Sequence, residues 1–285
     1  MSKVEISVIT ATIDRRELML RKLASLQEQT LPADRFEWIV CDNGGGDGTI
    51  EELERRDLPF ALRTVELVSN RGPGAGRNAC AALAAGEILY LSDDDCLLAP
   101  DTLERHLTAQ QQRQGVVVGA IRFRPDDGRG HLWRPKRIGY WNVNGANTSL
   151  PAGAFRGVGG FDESLVGYGG EDVLLGYRLS QMGLHFQALP RATVQHIGPD
   201  PAGGGNLAKA ASAGRNAGHI ARRYPELRFR LGVHPLLIGV KRVALPVLAP
   251  LLGVRAKAEL AYALGAHEVG RSRALVSPVS ERRKP

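Results

Sequence analysis

Cysteine is scarce in this chain: Cys41, Cys80 and Cys96 are the only three in 285 residues, and no two have paired spacing. An odd, unpaired count argues against a disulfide framework and against a zinc ribbon. The opening MSKVEISVIT lacks a basic segment followed by a long apolar run and a cleavage site, so no signal peptide is expected. A reducing, cytoplasmic setting follows, with the inner face of the membrane as its other expected location. The apolar stretch 233–254 is interrupted by Lys241, Arg242, Pro246 and Pro250. It makes a poor spanning helix, which needs about 20 apolar residues, and a buried or surface-lying hairpin is expected there. The dinucleotide GxGxxG pattern is missing after the first strand, which removes the main support for hydride transfer. The basic end of the chain lacks interleaved aromatics, so nucleic-acid binding is not expected.

What is present is a globular composition, 43% hydrophobic and 24% charged. The net charge of +7 is unevenly spread. Residues 222–285 hold 13 Lys/Arg against 4 Asp/Glu, so the other 221 residues sum to −2. That tail suits either a solvated helical surface or attraction to an anionic membrane or substrate. Along the first half, short β-branched or aromatic runs at 5–11 (EISVITA) and 36–41 (FEWIVC), and further strand-like stretches at 63–67 and 88–91, alternate with helical stretches. Leu18, Met19, Leu23 and Leu26 recur at helical spacing, and residues 75–85 are Ala-rich. Strand–helix alternation predicts an α/β fold, a mostly parallel sheet flanked by helices, with ligands at the carboxyl ends of the strands. Residues 116–198 read as short strands, many glycines and one helix at 171–182 closed by Gly183. A Gly/Pro-rich loop at 198–206 and an Ala-rich helix near 207–224 follow.

Chemistry-bearing residues gather at those strand ends. Asp42 begins a glycine run, Gly44-Gly45-Gly46, where backbone can approach a flat ligand; a ligand-free Asp turn reads the same way. Asn70, Arg71 and Arg77 flank a loop-to-helix junction suited to phosphate, though no Walker Gly-Lys-Ser/Thr occurs in it. Asp93-Asp94-Asp95 closes an apolar strand. Three adjacent like charges repel, so a cation or several donors must compensate, and such hard oxygens suit Mg²⁺ or Mn²⁺. The bland alternative is an acidic turn before the next helix. Glu171-Asp172 opens the 171–182 helix after Tyr168-Gly169-Gly170, where acids either complement the helix dipole or supply a base held ionised by it. His196 ends a strand at 192–196, as a structural residue or as a nitrogen ligand to the same cation.

Together these motifs resemble family 2 glycosyltransferases of the GT-A (Rossmann-like) fold over about residues 4–198. Ser7-Val8-Ile9-Thr10-Ala11-Thr12-Ile13-Asp14-Arg15 is similar to the family's opening strand, and Gln29-Thr30-Leu31-Pro32 to its Gln-Thr-x-Pro turn. The segments 41–49, 70–78 and 93–95 resemble its base-binding, Ala-Arg-Asn and Asp-x-Asp motifs. Gly159-Gly160-Phe161-Asp162-Glu163 and Gly169-Gly170-Glu171-Asp172 resemble its acceptor-side motifs. The resemblance implies a donor site from Thr10, Thr12, Arg15, Asp42, Asn70, Arg77, Asp93 and Asp94. It implies acceptor contacts from Asn147, Gly170 and Glu171, Mn²⁺ or Mg²⁺ on Asp95 and His196, and Asp172 as base. Three departures stand out: Ala11 for proline, Asn43 for the second Asp of the base-binding pair, and glycines at 44–46 for Ser/Thr, which implies a looser loop.

The implied organisation is a GT-A domain over residues 1–228, with a nucleotide-binding half at about 1–115 and an acceptor half at 116–228. A basic, apolar, helical extension follows at 229–285. The implied activity is inverting transfer of a hexosyl-type sugar from a UDP- or GDP-type nucleotide sugar to a glycan, lipid-linked or small-molecule acceptor, the 198–206 loop closing over the site. The tail is expected to serve peripheral membrane contact or homo-oligomerisation. A sugar nucleotidyltransferase would share the sheet and acidic site, but its Gly-rich, basic first loop is absent after Ala11. A non-catalytic nucleotide- or glycan-binding module would not need Asp95, Asp172 and His196 together.

Overall fold

The computed structural model describes residues 3–123, 130–198 and 206–271. It divides into two compact units, Met1–Val166 with Glu171–Pro201, and Gly167–Gly170 with Ala202–Pro285. In the first unit β1 (Ile6–Thr12), α1 (Arg16–Gln27), β2 (Phe36–Asn43), α2 (Thr49–Glu54), β3 (Ala61–Leu67), α3 (Pro73–Leu83) and β4 (Ile88–Leu91) follow the expected alternation. Next come β5 (Cys96–Leu98), α4 (Thr102–Gln112), β6 (Val116–Phe123), β7 (His131–Trp133), β8 (Thr148–Pro151), α5 (Ala152–Gly157), α6 (Glu171–Gln181) and β9 (Phe186–His196). The strand order is β3-β2-β1-β4-β8-β6-β9-β5, with β7 on β6. The β3-β2-β1-β4 half is parallel. From β4 onward the pairings are antiparallel except β6 with β9.

Alternation along the central strands feeds two cores. Ile6, Val8, Trp38, Val40 and Tyr90 face one side, packed with Met19, Leu23 and Leu26 of α1 and Leu103 and Leu107 of α4. Ile9, Ile39, Cys41, Leu89 and Leu91 face the other, against Cys80 of α3, Phe155 of α5 and Leu175 and Leu179 of α6. A strand buried on both faces leaves solvent only at its ends, so the loops after β1, β2 and β4 are where polar groups collect.

The second unit holds α7 (Leu207–Arg223) and α8 (Pro235–Arg271). Small residues let them pack closely: a Cβ on Gly214 would come 2.0 Å from the Tyr262 carbonyl oxygen. Pro246 and Pro250 do not end α8, but they cannot donate to its ladder. The helix doubles back. Lys241 contacts Glu259 and Arg242 contacts His267, pairs 18 and 25 residues apart. A straight helix would separate them by about 27 and about 38 Å. The hairpin expected at 233–254 is instead helical and longer, with its returning arm carrying Glu259 and His267 beyond that range. Among the described residues no helix is long and apolar enough to cross a membrane.

Candidate active site

A buried lysine and a half-buried arginine organise the acidic loop after β4. Lys22, in the middle of α1, is fully buried, and its Nζ donates to Ser92 Oγ (2.5 Å) and to the carbonyl oxygens of Asp93 and Cys96 (2.9 Å each). Burial holds its pKa below the usual lysine value. Arg15 donates to Asp94 Oδ1 (2.8 Å) and Asp95 Oδ2 (3.2 Å), and Thr12 Oγ1 donates to Asp94 Oδ2 (3.0 Å). Burial still pushes the Asp94 carboxyl up, with Arg15 opposing it. Asp94 is thus a braced interior residue, and Thr12 and Arg15 spend their polar groups on this loop.

The β5–β9 pairing places Cys96 opposite His196, which brings His196 to the acidic loop from about 100 residues away. His196 Nε2 lies 3.5 Å from Asp95 Oδ1, and its Nδ1 lies 3.2 Å from the Gly198 carbonyl oxygen. In the tautomer whose Nδ1–H donates to that carbonyl, the Nε2 lone pair would be directed toward Asp95. One carboxylate and one imidazole so disposed fit Mn²⁺ or Mg²⁺. Cys96 Sγ is close enough to join them, but burial first, then Asp93 and Asp95, push its thiol well up, which keeps it protonated.

Arg77 forms the other corner. It projects from the first turns of α3, 7% exposed, and pairs with Asp93, with Asp172 (3.5 Å) and with Glu171 (3.8 Å). Its guanidinium also lies 5.3 Å from the Phe161 ring centroid. Gly145 N donates to Asp172 Oδ2 at 3.1 Å. Burial, aided by Glu171 and Asp93 and opposed by Arg77, lifts the Asp172 carboxyl to about 7. The helix N-terminus was expected to keep it ionised; desolvation and two neighbouring carboxylates outweigh the dipole. A carboxylate poised there suits general-base work near neutral pH.

A sequence model described as glycosyl transferase family 2 matches residues 7–164, more than half of the chain. The chain belongs to glycosyl transferase family 2. A second model, described as N-terminal domain of galactosyltransferase, matches residues 133–198 of this family 2 chain. An uncharacterized glycosyltransferase, YfnE of Bacillus subtilis, is 37% identical over 39% of this chain and 28% of its own length. Validoxylamine A glucosyltransferase of Streptomyces hygroscopicus is 28% identical over 63% of this chain and 52% of its own. The chain thus spans about half or less of these relatives' length. Among solved structures, a Pyrobaculum calidifontis mannosyltransferase in complex with GDP-Man and Mn²⁺ aligns at TM-score 0.61 and 21% identity, over 98% of this chain and 77% of that one. Staphylococcus aureus TarS in complex with UDP aligns at TM-score 0.57 and 18% identity, over 98% and 95%. At those identities the likeness shows the shared GT-A-like fold.

Within the family 2 unit, Thr12, Arg15, Arg77, Asp93, Asp94, Asp95, Glu171, Asp172 and His196 form one continuous set of contacts. Asp42 and Asn70 lie in the adjoining loops. Asp42 Oδ1 accepts from Gly45 N at 2.8 Å. Asn43 Nδ2 donates to Asn70 Oδ1 (3.2 Å) and to the Gly72 carbonyl oxygen (2.9 Å). An Asp at 43 could make neither donation, so the departure from the family pattern stitches two loops together. The glycine run is partly tight: a Cβ on Gly44, at φ +85°, would meet the Ser69 carbonyl carbon at 2.4 Å, whereas Gly46 has open space.

Thr10 and Asn147 are not brought to this set. Thr10 is fully buried and its Oγ1 accepts from Trp38 Nε1. Asn147, also fully buried, bonds Tyr90, His106 and the carbonyl oxygens of Ala120 and Ala192, which uses its whole polar capacity. Burial lowers the neighbouring His106 to about 4, so that network is neutral. Gly170, at φ +96°, belongs to the second unit, where Asn216 and Ile220 crowd its Cα. The 198–206 loop lies outside the described residues between 199 and 205. Sequence reasoning missed Lys22, which reads as one more charge on an amphipathic helix, and Gly145, whose only signal was a glycine in an Asn-rich turn. A Cβ on Gly145 would sit 2.0 Å from Arg77 Nη2.

Proposed function

We propose that this family 2 chain transfers a hexosyl-type sugar from a UDP- or GDP-type nucleotide sugar to an acceptor hydroxyl, with inversion at the anomeric carbon. The observation that carries the reading is Arg77, which ties Asp93 of the acidic loop to Asp172 at the start of α6. Leaving-group side and base side are thereby held on opposite hands of one guanidinium. Asp95 and His196 would hold the divalent cation, which when bound offsets charge on the diphosphate. The acceptor oxygen attacks the anomeric carbon, its proton passes to Asp172, and the sugar–phosphate bond breaks to release the nucleoside diphosphate. A positioned base of this kind contributes roughly 10²–10⁴-fold. The complexes of the structural neighbours with GDP-Man and UDP support a nucleotide-sugar donor. Incubation with UDP- and GDP-sugars, with Mn²⁺ or with chelator, tests the reading; consumption of none of them would overturn it.

The second unit is read as a peripheral contact with an anionic membrane. Phe229, Leu236, Val240 and Val243 are exposed, and Leu236, Val240 and Val243 fall on one face at helical spacing. Arg228, Arg230, Lys241 and Arg242 lie among them in sequence. Apolar residues flanked by cations suit the boundary between headgroups and acyl chains.

A further inference from the structure

Residues 130–147 carry Arg134, Lys136 and Arg137 and no Asp or Glu. All three side chains are exposed, and among the described residues none pairs with a carboxylate. This segment is anchored to the site at both ends. At its start His131 of β7 stacks on Phe123 (4.8 Å between centroids), and Phe123 in turn lies 5.3 Å from the His196 ring. At its end Gly145 donates to Asp172. Between them Tyr140 packs edge-on against Tyr177 of α6, and Trp141 is 44% exposed. We infer that the 134–141 segment is the acceptor subsite, and that the acceptor is an anionic saccharide bearing phosphate or carboxylate groups. The inference rests on the transfer reading of the Arg77–Asp172 corner and adds the acceptor's chemical class to it. Three exposed cations on the stretch between His131 and Gly145 attract an anion more strongly than a neutral glycan. Trp141, packed edge-on with Tyr140, adds a partly exposed aromatic surface beside them. Residues 1–221 sum to −2, so this positive cluster stands out from the rest of that stretch.

The test measures binding of tetragalacturonate and of glucose 6-phosphate to the full chain, with neutral maltotetraose as the uncharged probe. The chain is compared with the triple variant Arg134→Gln/Lys136→Gln/Arg137→Gln and with Arg134→Lys/Arg137→Lys. Saturable binding of at least one anionic probe is expected. It should weaken at least 10-fold in the glutamine variant, persist in the lysine variant and fade with added salt. The carboxylate and phosphate probes distinguish the two sources of charge. Anionic probes bound no better than maltotetraose, or equally by the glutamine variant, would overturn the inference. UDP and GDP binding with Mn²⁺ forms the second arm. If the glutamine variant loses nucleotide affinity instead, the cations serve the donor and the inference fails. If the unsubstituted chain binds neither nucleotide, the transfer reading fails, whatever the saccharide probes show.

Discussion

Asp172 carries opposite consequences for activity and stability. Its folded pKa of about 7 lies above the usual carboxylate value near 3.8, so the folded chain holds a proton that the unfolded chain releases. The associated stability is therefore present at low pH and lost as pH rises from about 4 to about 7. Asp172→Asn should raise the melting temperature by roughly 2–4 °C at pH 8, about 1 kcal/mol after allowance for partial exposure, and by nothing at pH 4. Calorimetry at the two pH values checks this, and equal shifts at both would contradict it. Turnover needs the deprotonated form and should rise with pH through about 7. Lys22 belongs to the same scale. Lys22→Met strands Ser92 and two carbonyl oxygens and should cost about 2–4 kcal/mol. Denaturant unfolding measures that loss, and a change under 1 kcal/mol would show that the acidic loop keeps its own shape.

At the scale of elements, the parallel half was legible because β1, β2 and β4 are short, mostly apolar runs, while β3 carries Arg63, Thr64 and Glu66 at the sheet edge. The observed bounds of β4 match the expected 88–91, and α6 ends one residue earlier than expected. The antiparallel half was less so. β5 and β7 are three residues each, too short for a period to show, and they exist through their pairing with β9 and β6. The site divides similarly. The acidic run at 93–95 was visible because adjacent like charges need compensation, whereas its compensation by Lys22 and Arg15 depends on how α1 crosses the strand ends. Gly145 shows the same dependence, since its value lies in the space left for Arg77. Gly145→Ala should displace Arg77 and Asp172 and lower turnover by about 10-fold or more, as small misplacements of reacting groups do. Nucleotide affinity should fall with it, because the same Cβ crowds Arg77 and Asp93 of the expected donor site. Turnover at the unsubstituted rate would show that the Asp172 carboxylate does not need this backbone donor.

For the molecule as a whole, the second unit and the transfer site make separate predictions. Flotation with anionic vesicles should carry the chain at low salt and release it at high salt, and Val240→Glu/Val243→Glu should abolish flotation. No association in either condition would leave the exposed apolar face to pair with a second copy. In the proposed reaction a base at the start of α6 works against a leaving group held at the end of β4. Its most direct test is the rate of sugar transfer from whichever UDP- or GDP-sugar the chain consumes, measured beside donor affinity in the unsubstituted chain and in Asp172→Asn. Donor affinity should be retained, turnover should fall about 10²-fold or more, and the rise in rate with pH through about 7 should be lost. Turnover by Asp172→Asn at the unsubstituted rate, with the same pH profile, would contradict the proposed reaction.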